Sequence, residues 1–493
     1  MTLLLLGALL SWKALPPVRA QPVTFNEIYG FTSPLFHTST RTNSDGINPG
    51  GVSLSGSTLY GTALNGGSWG YGTVFSVNTD GSGFTNLHNF TAPSPPPSSS
   101  FGGTNGDGAN PNVGLVLWQN TLYGTAEYGG AGGRGTVFSV NTDGSDFSNL
   151  YSFPSVTYSS NVGSSSNFNS SGAAPFAGLV LSGGTLYGTA QDGGSFGNGT
   201  VFAINTDGSG FTNLHSFALS EASSNSDGIG PQADLIISGN TLYGTTVYGG
   251  AGKSGTVFAL NTNGSDFTNL YNFTGGADGS RPYAGLILSG NTLYGTAAYG
   301  ASGGDGTVFA LDSDGSGFTN VYNFTGGADG SHPQAGLIIS GNTLYGTAYQ
   351  GGSPGGGTAF AVNTNGLNFT ELHTFTAFST SYPDSNSDGT YPSAGLIMSG
   401  NTLYGTAFTG GIRGNGAVFA LILPGPALGI APAGDQFVIV WPAWATNFVL
   451  QTAPDLTSGN WSNISSGTVT LGTNYVFTNT LTSQTAFFRL QQQ

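Results

Sequence analysis

Apolar residues along the chain come in short runs that are separated by turns rich in glycine, asparagine and aspartate. The copy of this pattern that follows Ala284 contains four runs, which predict strands A, B, C and D at 285–288, 292–296, 307–311 and 318–324. Tight turns follow runs A and C, because Gly and Asn accept positive φ there. Runs A and C are almost continuously apolar, which predicts that both faces of these strands are buried.

The four-strand unit occurs seven times. Each copy has a Leu-Tyr-Gly-Thr tetrad in strand B and, 15 residues after its tyrosine, a phenylalanine that closes a Gly-Thr-Val-Phe-like tetrad in strand C. Successive tyrosines are 51 to 64 residues apart, so the spacing varies only between the units. This indicates a rigid unit joined by tolerant loops. The tyrosines that define repeats 1 to 7 are Tyr60, Tyr123, Tyr187, Tyr243, Tyr294, Tyr345 and Tyr404.

Four antiparallel strands in about 50 residues are typical of a propeller blade. Strand D is missing after Phe419, whereas residues 25–31 near the N-terminus match 84–90, the strand D of repeat 1, position for position. We therefore predict an all-β fold with a seven-bladed β-propeller closed by an N-terminal strand. A solenoid is the alternative, but it would leave an unpaired edge at each end.

The two ends of the chain differ from the repeats. The apolar run 3–12, followed by Val18 and Ala20 at the spacing of a cleavage site, predicts a signal peptide. From Pro424 onward the repeat stops and alternating apolar runs predict a small β-sandwich. The predicted domains are a signal peptide at 1–20, the propeller at 21–423 and the sandwich at 424–493. We expect a secreted or cell-surface protein with no transmembrane segment after removal of the signal peptide.

The amino-acid composition excludes several kinds of structure and binding partner. The 84 glycines and the 6% of charged residues disfavour helices. Because 8 Lys and Arg stand against 23 Asp and Glu, nucleic acid is excluded as a partner, since phosphate binding needs a basic face. The chain has no cysteine, which excludes disulfides and thiolate metal sites.

The Leu-Tyr-Gly-Thr, Gly-Thr-Val-Phe and Asp-Gly-x-x-Pro-x-Ala-Gly-Leu elements resemble the Gloeo-Verruco (GloVer) tandem repeat family of exported bacterial proteins. The resemblance covers residues 23–421. It implies an exported repeat protein and brings no catalytic residues, because the family has no assigned activity. Its members often end in a surface-sorting tail, whereas this chain ends in the predicted sandwich.

The polar residues do not single out a reaction. Most aspartates stand in repeated Asp-Gly turns, and glycosidase chemistry would need two carboxylates close together, which the sequence does not identify. His88, His215 and His373 occupy a strand-D position that is tyrosine in the four other copies, which predicts a packing role. The run 384–389 begins like a calcium loop but has Gly395 at its twelfth position, which favours an ordinary turn. We therefore expect no catalytic residue, no metal site and no cofactor.

The B–C and D–A loops lie on one face of the predicted propeller, and the repeats differ most there. Exposed aromatic side chains with few polar groups suit stacking on sugars or gripping a peptide. The candidate ligand-binding residues on these loops are Trp69, Tyr71, Tyr128, Arg134, Phe196, Tyr248, Tyr299 and Arg413. We expect a non-enzymatic binding module for a glycan or a cell-surface protein. A carbohydrate-active enzyme with a site on this face and a structural surface-layer component are the alternatives.

Overall fold

The computed structural model describes residues 22–34, 41–95, 103–159, 166–218, 227–377, 385–425, 428–433, 436–442, 448–454, 460–464, 466–471, 474–480 and 486–492. The predicted signal peptide and Asp384 of the calcium-like loop lie outside these residues. The regular structure of the described residues is entirely β, and they contain no helix that could cross a membrane.

The strands are numbered in chain order. As far as repeat 3 they are β1 (Thr24–Gly30), β2 (Ile47–Ser55), β3 (Thr58–Asn65), β4 (Thr73–Asn78), β5 (Thr85–Asn89), β6 (Val116–Trp118), β7 (Thr121–Ala126), β8 (Thr136–Asn141), β9 (Ser148–Ser152), β10 (Thr157–Ser159), β11 (Ser166–Phe168), β12 (Val180–Ser182), β13 (Thr185–Ala190), β14 (Thr200–Asn205) and β15 (Thr212–Ser216). In repeats 4 to 7 they are β16 (Ile236–Ser238), β17 (Thr241–Thr246), β18 (Thr256–Asn261), β19 (Thr268–Asn272), β20 (Ile287–Ser289), β21 (Thr292–Ala297), β22 (Thr307–Asp312), β23 (Thr319–Asn323), β24 (Ile338–Ser340), β25 (Thr343–Ala348), β26 (Thr358–Asn363), β27 (Thr370–Thr374), β28 (Ile397–Ser399), β29 (Thr402–Ala407) and β30 (Ala417–Ile422). The C-terminal strands are β31 (Gly429–Ala433), β32 (Gln436–Pro442), β33 (Phe448–Ala453), β34 (Ser462–Asn463), β35 (Thr468–Leu471), β36 (Asn474–Thr480) and β37 (Phe487–Gln492).

Each repeat forms a four-stranded antiparallel sheet in the order A-B-C-D. The first six sheets are β2–β5, β6–β9, β12–β15, β16–β19, β20–β23 and β24–β27. In repeat 7, strands A to C are β28, β29 and β30, and the fourth strand is β1 from the N-terminal end. Thr24 lies opposite Ile422 and Gly30 opposite Ala417. The predicted pairing of an N-terminal strand with the last repeat is thus confirmed.

Strands B and C carry the core of each sheet. In β21 and β22 all residues but one at the outer end are buried. Strand A is shorter than expected and only half-buried, so the prediction that both its faces are buried is wrong. Strand A is an edge strand that pairs only with strand B, and the buried Ala284 and Leu286 precede its ladder.

A buried hydroxyl joins each repeat to the next. The threonine that ends the Leu-Tyr-Gly-Thr tetrad donates through Oγ1 to a backbone carbonyl just ahead of strand A in the following repeat, as Thr125 does to Ala177 over 2.8 Å. The equivalent bond runs from repeat 7 back to repeat 1, from Thr406 to the carbonyl of Gly50 over 2.8 Å, although Gly50 already lies inside the longer strand A of repeat 1, β2. The other pairs are Thr62–Val113, Thr189–Ala233, Thr245–Ala284, Thr296–Ala335 and Thr347–Pro392.

An aromatic stack makes a second link between repeats. The strand-D tyrosine or histidine lies flat on the phenylalanine that precedes the next strand D, with 3.6 Å between the ring centroids of His88 and Phe147. The other stacks are Tyr151–Phe211, His215–Phe267, Tyr271–Phe318, Tyr322–Phe369, His373–Phe25 and Tyr29–Phe84. The predicted packing role of the three histidines is confirmed.

In six repeats the stacked side chain is also held by an aspartate, whereas the hydroxyl of Tyr151 donates to Ser171 Oγ over 2.8 Å. His88 Nε2 lies 3.1 Å from Asp107 Oδ2, and the hydroxyl of Tyr322 donates to Asp329 Oδ2 over 3.0 Å. Burial and this bond raise the pKa of Tyr322 to about 12. Asp107 also accepts from the backbone N–H of Thr91, so these Asp-Gly aspartates hold strand D as well as forming turns.

The C-terminal region contains two further sheets, in the orders β31-β32-β36-β35 and β34-β33-β37. Ile439, Trp441 and Phe477 from the first sheet pack with Leu450 from the second. The connection between repeats 2 and 3 adds the two-stranded sheet β10–β11. The predicted domain boundaries stay predictions.

Asp107 provides a test of the strand-D contact. Burial alone would raise its pKa, but the hydrogen bonds from His88 and Thr91 outweigh burial, so the pKa lies below the ordinary value. A lowered pKa means that ionised Asp107 stabilises the fold at neutral pH and that this contribution is lost as the pH falls from about 4 through the folded pKa. Asp107→Asn should lower the free energy of unfolding by about 1–2 kcal/mol at pH 7. Denaturant titrations should show this difference shrinking in acid.

The matched control is Asp80→Asn in an exposed turn. Asp80 Oδ1 accepts from the backbone N–H of Ser82 over 2.9 Å, and an asparagine oxygen can accept the same bond. This variant should unfold like the parent protein. Equal losses at the two positions, or a loss at Asp107 that does not change with pH, would show that the carboxylate has no special role.

Candidate functional site

The B–C loops and the segments that precede each strand A form one surface, here called the loop face. Arg281 shows how its backbone is held. Its N–H donates to the carbonyl of Ser254 in the preceding repeat over 2.8 Å, and its carbonyl accepts from Ala298 in its own repeat over 3.2 Å. The residue before the repeat proline has positive φ in every repeat, at Asn48, Asn110, Ala174, Gly230, Arg281, His332 and Tyr391. Its side chain is therefore presented between two B–C loops.

Repeats 4 to 7 bring a set of aromatic and basic side chains together on the loop face. This set, the aromatic arc, consists of Tyr248, Arg281, Tyr283, Tyr299, His332, Tyr349 and Tyr391. The guanidinium carbon of Arg281 lies 5.4 Å from the ring centroid of Tyr248 and 5.0 Å from that of Tyr299. Tyr299 makes an edge contact with His332 at 4.6 Å. Tyr349 stacks on Tyr391 with 4.8 Å between the centroids.

Arg281 is the charged group of the arc. Burial raises the pKa of Tyr283, as does its hydrogen bond with Tyr248, while Arg281, which donates to Tyr283, opposes the shift. Burial also raises the pKa of Tyr349. Burial lowers the pKa of His332, although the nearby Asp305 opposes this. At neutral pH Tyr283 and Tyr349 are therefore neutral phenols and His332 is mostly uncharged.

Repeats 2 and 3 place two carboxyl groups near each other on the same face. Burial raises the pKa of Glu127, a bond from the Tyr128 hydroxyl lowers it, and the charge of Asp192 raises it again. Burial also raises the pKa of Asp192, which the charge of Arg134 opposes. We call Glu127 and Asp192 the carboxylate pair.

The sequence contains a signal for the carboxylate pair, which the assignment of aspartates to turns overlooks. Glu127 and Asp192 stand four and five residues after their repeat tyrosines. The other six copies have uncharged side chains at each of these positions. Because the other repeats fold with uncharged residues at these positions, the two charges are not required by the fold of the repeat.

The predicted ligand-binding residues fall into three groups. Tyr248 and Tyr299 belong to the aromatic arc, and Tyr128 and Arg134 surround the carboxylate pair. Tyr71 is half-buried and packs on the core between repeats 1 and 2. Trp69, Phe196 and Arg413 occupy a loop position that lies beside the end of strand D, where a Cβ at the equivalent Gly132 would come within 2.1 Å of the carbonyl of Phe153. Arg281, Tyr283, His332, Tyr349 and Tyr391 were not predicted.

One further carboxylate breaks the repeat pattern. Asp234 occupies a position two residues before strand A of its repeat. The six other repeats have glycine at the equivalent position, at Gly51, Gly114, Gly178, Gly285, Gly336 and Gly395. Asp234 Oδ1 accepts from the backbone N–H of Gly178 over 2.5 Å. Desolvation by the surrounding protein raises the pKa of Asp234, and the bond from Gly178 opposes this shift. Within the described residues, no group of three or more His, Cys, Asp or Glu side chains is placed to hold a metal ion.

Comparison with known proteins identifies the repeat. The model of the Gloeobacter/Verrucomicrobia repeat matches residues 157–300 and 275–427, which together make up more than half of the chain. No curated protein matches the chain in sequence.

Solved structures with a related strand arrangement are distant. A puromycin-hydrolyzing peptidase of Mycobacterium tuberculosis is 10% identical with a TM-score of 0.46, over 80% of this chain and 58% of that one. An oligogalacturonate lyase of Vibrio parahaemolyticus is 9% identical with a TM-score of 0.44, over 82% of this chain and 98% of that one. TolB of Acinetobacter baumannii is 12% identical with a TM-score of 0.35, over 61% and 59% of the two chains. At these values nothing about activity follows.

Proposed function

This chain belongs to the Gloeobacter/Verrucomicrobia repeat family, and we propose that it is a non-enzymatic extracellular or cell-surface module that binds a glycan on the aromatic arc. The arc is the observation that carries the proposal. It collects five tyrosines, an arginine and a histidine from neighbouring repeats on one face, and Tyr248 is 41% exposed. Tyrosine rings offer apolar faces to sugar C–H groups and hydroxyls to their oxygens, at little cost in side-chain entropy.

We also propose that the seven repeat sheets form a closed seven-bladed β-propeller. The pairing of β1 with β30 supports closure, because it completes the sheet of repeat 7. Two contacts then join this sheet to repeat 1 as their equivalents join consecutive repeats: Thr406 bonds to Gly50, and Tyr29 stacks on Phe84. For the C-terminal region we propose a β-sandwich, because side chains from both of its sheets share one core.

A second candidate function is cleavage of a glycan, and the carboxylate pair favours it. Glycosidases use one protonated and one ionised carboxyl group on either side of the scissile bond. Burial raises the pKa of both Glu127 and Asp192, which suits the protonated role. The surface-layer alternative has no comparable observation in its favour.

Closure gives one prediction. Thr406→Val and Thr125→Val each remove a buried hydroxyl, at 1% and 2% exposure, from a bond to the neighbouring repeat. In a closed ring both bonds lie inside one cooperative structure, so each variant should lose about 1 kcal/mol of unfolding free energy. Thr468→Val, on an exposed strand position, is the control. If Thr406→Val unfolds like this control while Thr125→Val is destabilised, the array is open.

Glycan binding gives the next prediction. The chain from residue 21 onward should bind a subset of a glycan array, and Tyr248→Ala should weaken that binding about tenfold, because one stacking contact is lost. Trp118→Ala is the matched control, since Trp118 is 38% exposed next to the turn between strands A and B, away from the loop face. Binding to no glycan, or equal weakening by the two variants, would reject the arc as a glycan site.

Catalysis is tested with the same ligands. As a binding module, the protein should return every bound oligosaccharide intact after long incubation, as measured by reducing-end release and mass spectrometry. Release of fragments that is abolished by Glu127→Gln or Asp192→Asn would replace our proposal with the second candidate. Asp143→Asn, in an exposed turn of the same repeat as Glu127, controls for the loss of one negative charge away from the loop face.

A further inference from the structure

Basic residues are confined to one face of the repeats. The chain has a formal net charge of −15, and the described residues of the repeats contain five basic side chains. All five lie on B–C loops or on the segments before strand A, at Arg41, Arg134, Lys253, Arg281 and Arg413. The opposite turns, between strands C and D, carry the fully exposed aspartates Asp80, Asp143, Asp207 and Asp314. The loop face therefore carries the basic side chains of the repeats, together with aspartates such as Asp107, Asp305 and Asp329.

The backbone and the side chain of Arg281 are both held in position on the loop face. Its backbone is bonded to two neighbouring B–C loops, and Tyr248 and Tyr299 flank its guanidinium. It donates a hydrogen bond to Tyr283. Contacts with aromatic faces restrict an arginine without neutralising it, so the side chain loses little further entropy when it binds a ligand.

Arg281 also lacks an acidic partner among the described residues. The ion pairs there are three histidine–aspartate pairs, so no described carboxylate lies within 4 Å of its guanidinium. Arg281 is exposed. A guanidinium can donate two parallel hydrogen bonds to a carboxylate or a sulfate group, and such charge-assisted bonds are about twice as strong as neutral ones.

We propose that Arg281 is the anion anchor of the aromatic arc and that the glycan bound there is acidic, carrying a carboxylate or a sulfate group. This inference rests on the proposed glycan-binding function and specifies its ligand. The tyrosines of the arc contact the sugar ring, and Arg281 pairs with the acid group. A neutral sugar of the same shape would leave the guanidinium without its partner, which makes the site selective for charge.

The test compares matched ligands. An oligouronate, its fully methyl-esterified form and a sulfated oligosaccharide are titrated by calorimetry into the chain from residue 21 onward. The acidic forms should bind at least about tenfold more tightly than the ester. Arg281→Gln should weaken binding of the acidic forms about ten- to a hundredfold and weaken binding of the ester much less, so that the preference for the acidic forms is lost. Arg281→Lys should restore part of the affinity, because it keeps the charge and loses the paired donors.

Arg489→Gln is the matched control. Arg489 lies 4.3 Å over the ring of Trp461 in the C-terminal region, so it is also an arginine on an aromatic face. This variant should bind like the parent, and a cooperative thermal transition should show that Arg281→Gln is folded. Preference for the oligouronate or for the sulfated ligand tells which acid group the site accepts. Equal affinity for acid and ester overturns the inference and leaves glycan binding standing, whereas binding of none of these ligands or any array glycan rejects both.

Discussion

The buried threonine bond between repeats is the contact on which the rest of the structure depends. It explains why the tetrad reads Leu-Tyr-Gly-Thr. A side chain in place of Gly295 would meet the Phe309 ring at 2.6 Å, so glycine lets strand C pack its phenylalanine against strand B. The hydroxyl of Thr296 then satisfies a carbonyl of the next repeat. With no cysteine and few charged residues, the repeats are held together by apolar packing between neighbouring sheets, to which these bonds and the aromatic stacks add.

Because these contacts hold the strands of each repeat, the loop residues can differ in sequence from one repeat to the next. The segment before each strand A is anchored through its backbone, as at Arg281, and any side chain that tolerates positive φ can stand there. Asparagine, alanine, glycine, arginine, histidine and tyrosine all occur at this position. The aromatic arc and the carboxylate pair are thus local variations on a constant backbone, which is how a repeat protein can acquire a site without disturbing its core.

The strands were predictable because alternation and turn residues act locally. Strand C at Thr307–Asp312 extends one residue beyond its prediction. The site was predictable only in part. Tyr248 and Tyr299 stood out as aromatics on a B–C loop, whereas Arg281 depends on a backbone bond to the preceding repeat, which no local pattern reveals. The carboxylate pair joins residues from different repeats, so its members become neighbours only once those repeats pack side by side.

The pairing of β1 with β30 affects how the protein is made. Thr24 is synthesised near the start of the chain, yet its partner Ile422 comes near the end of the repeats. During translation, β1 therefore cannot pair with β30 until almost the whole repeat region has been synthesised. Of the strand pairings described, this one joins the most distant segments and has the largest entropic cost of loop closure. Nascent or truncated chains keep the strand-D edge of the last sheet open. The sheet of repeat 7 can therefore be completed only after all seven repeats have been synthesised.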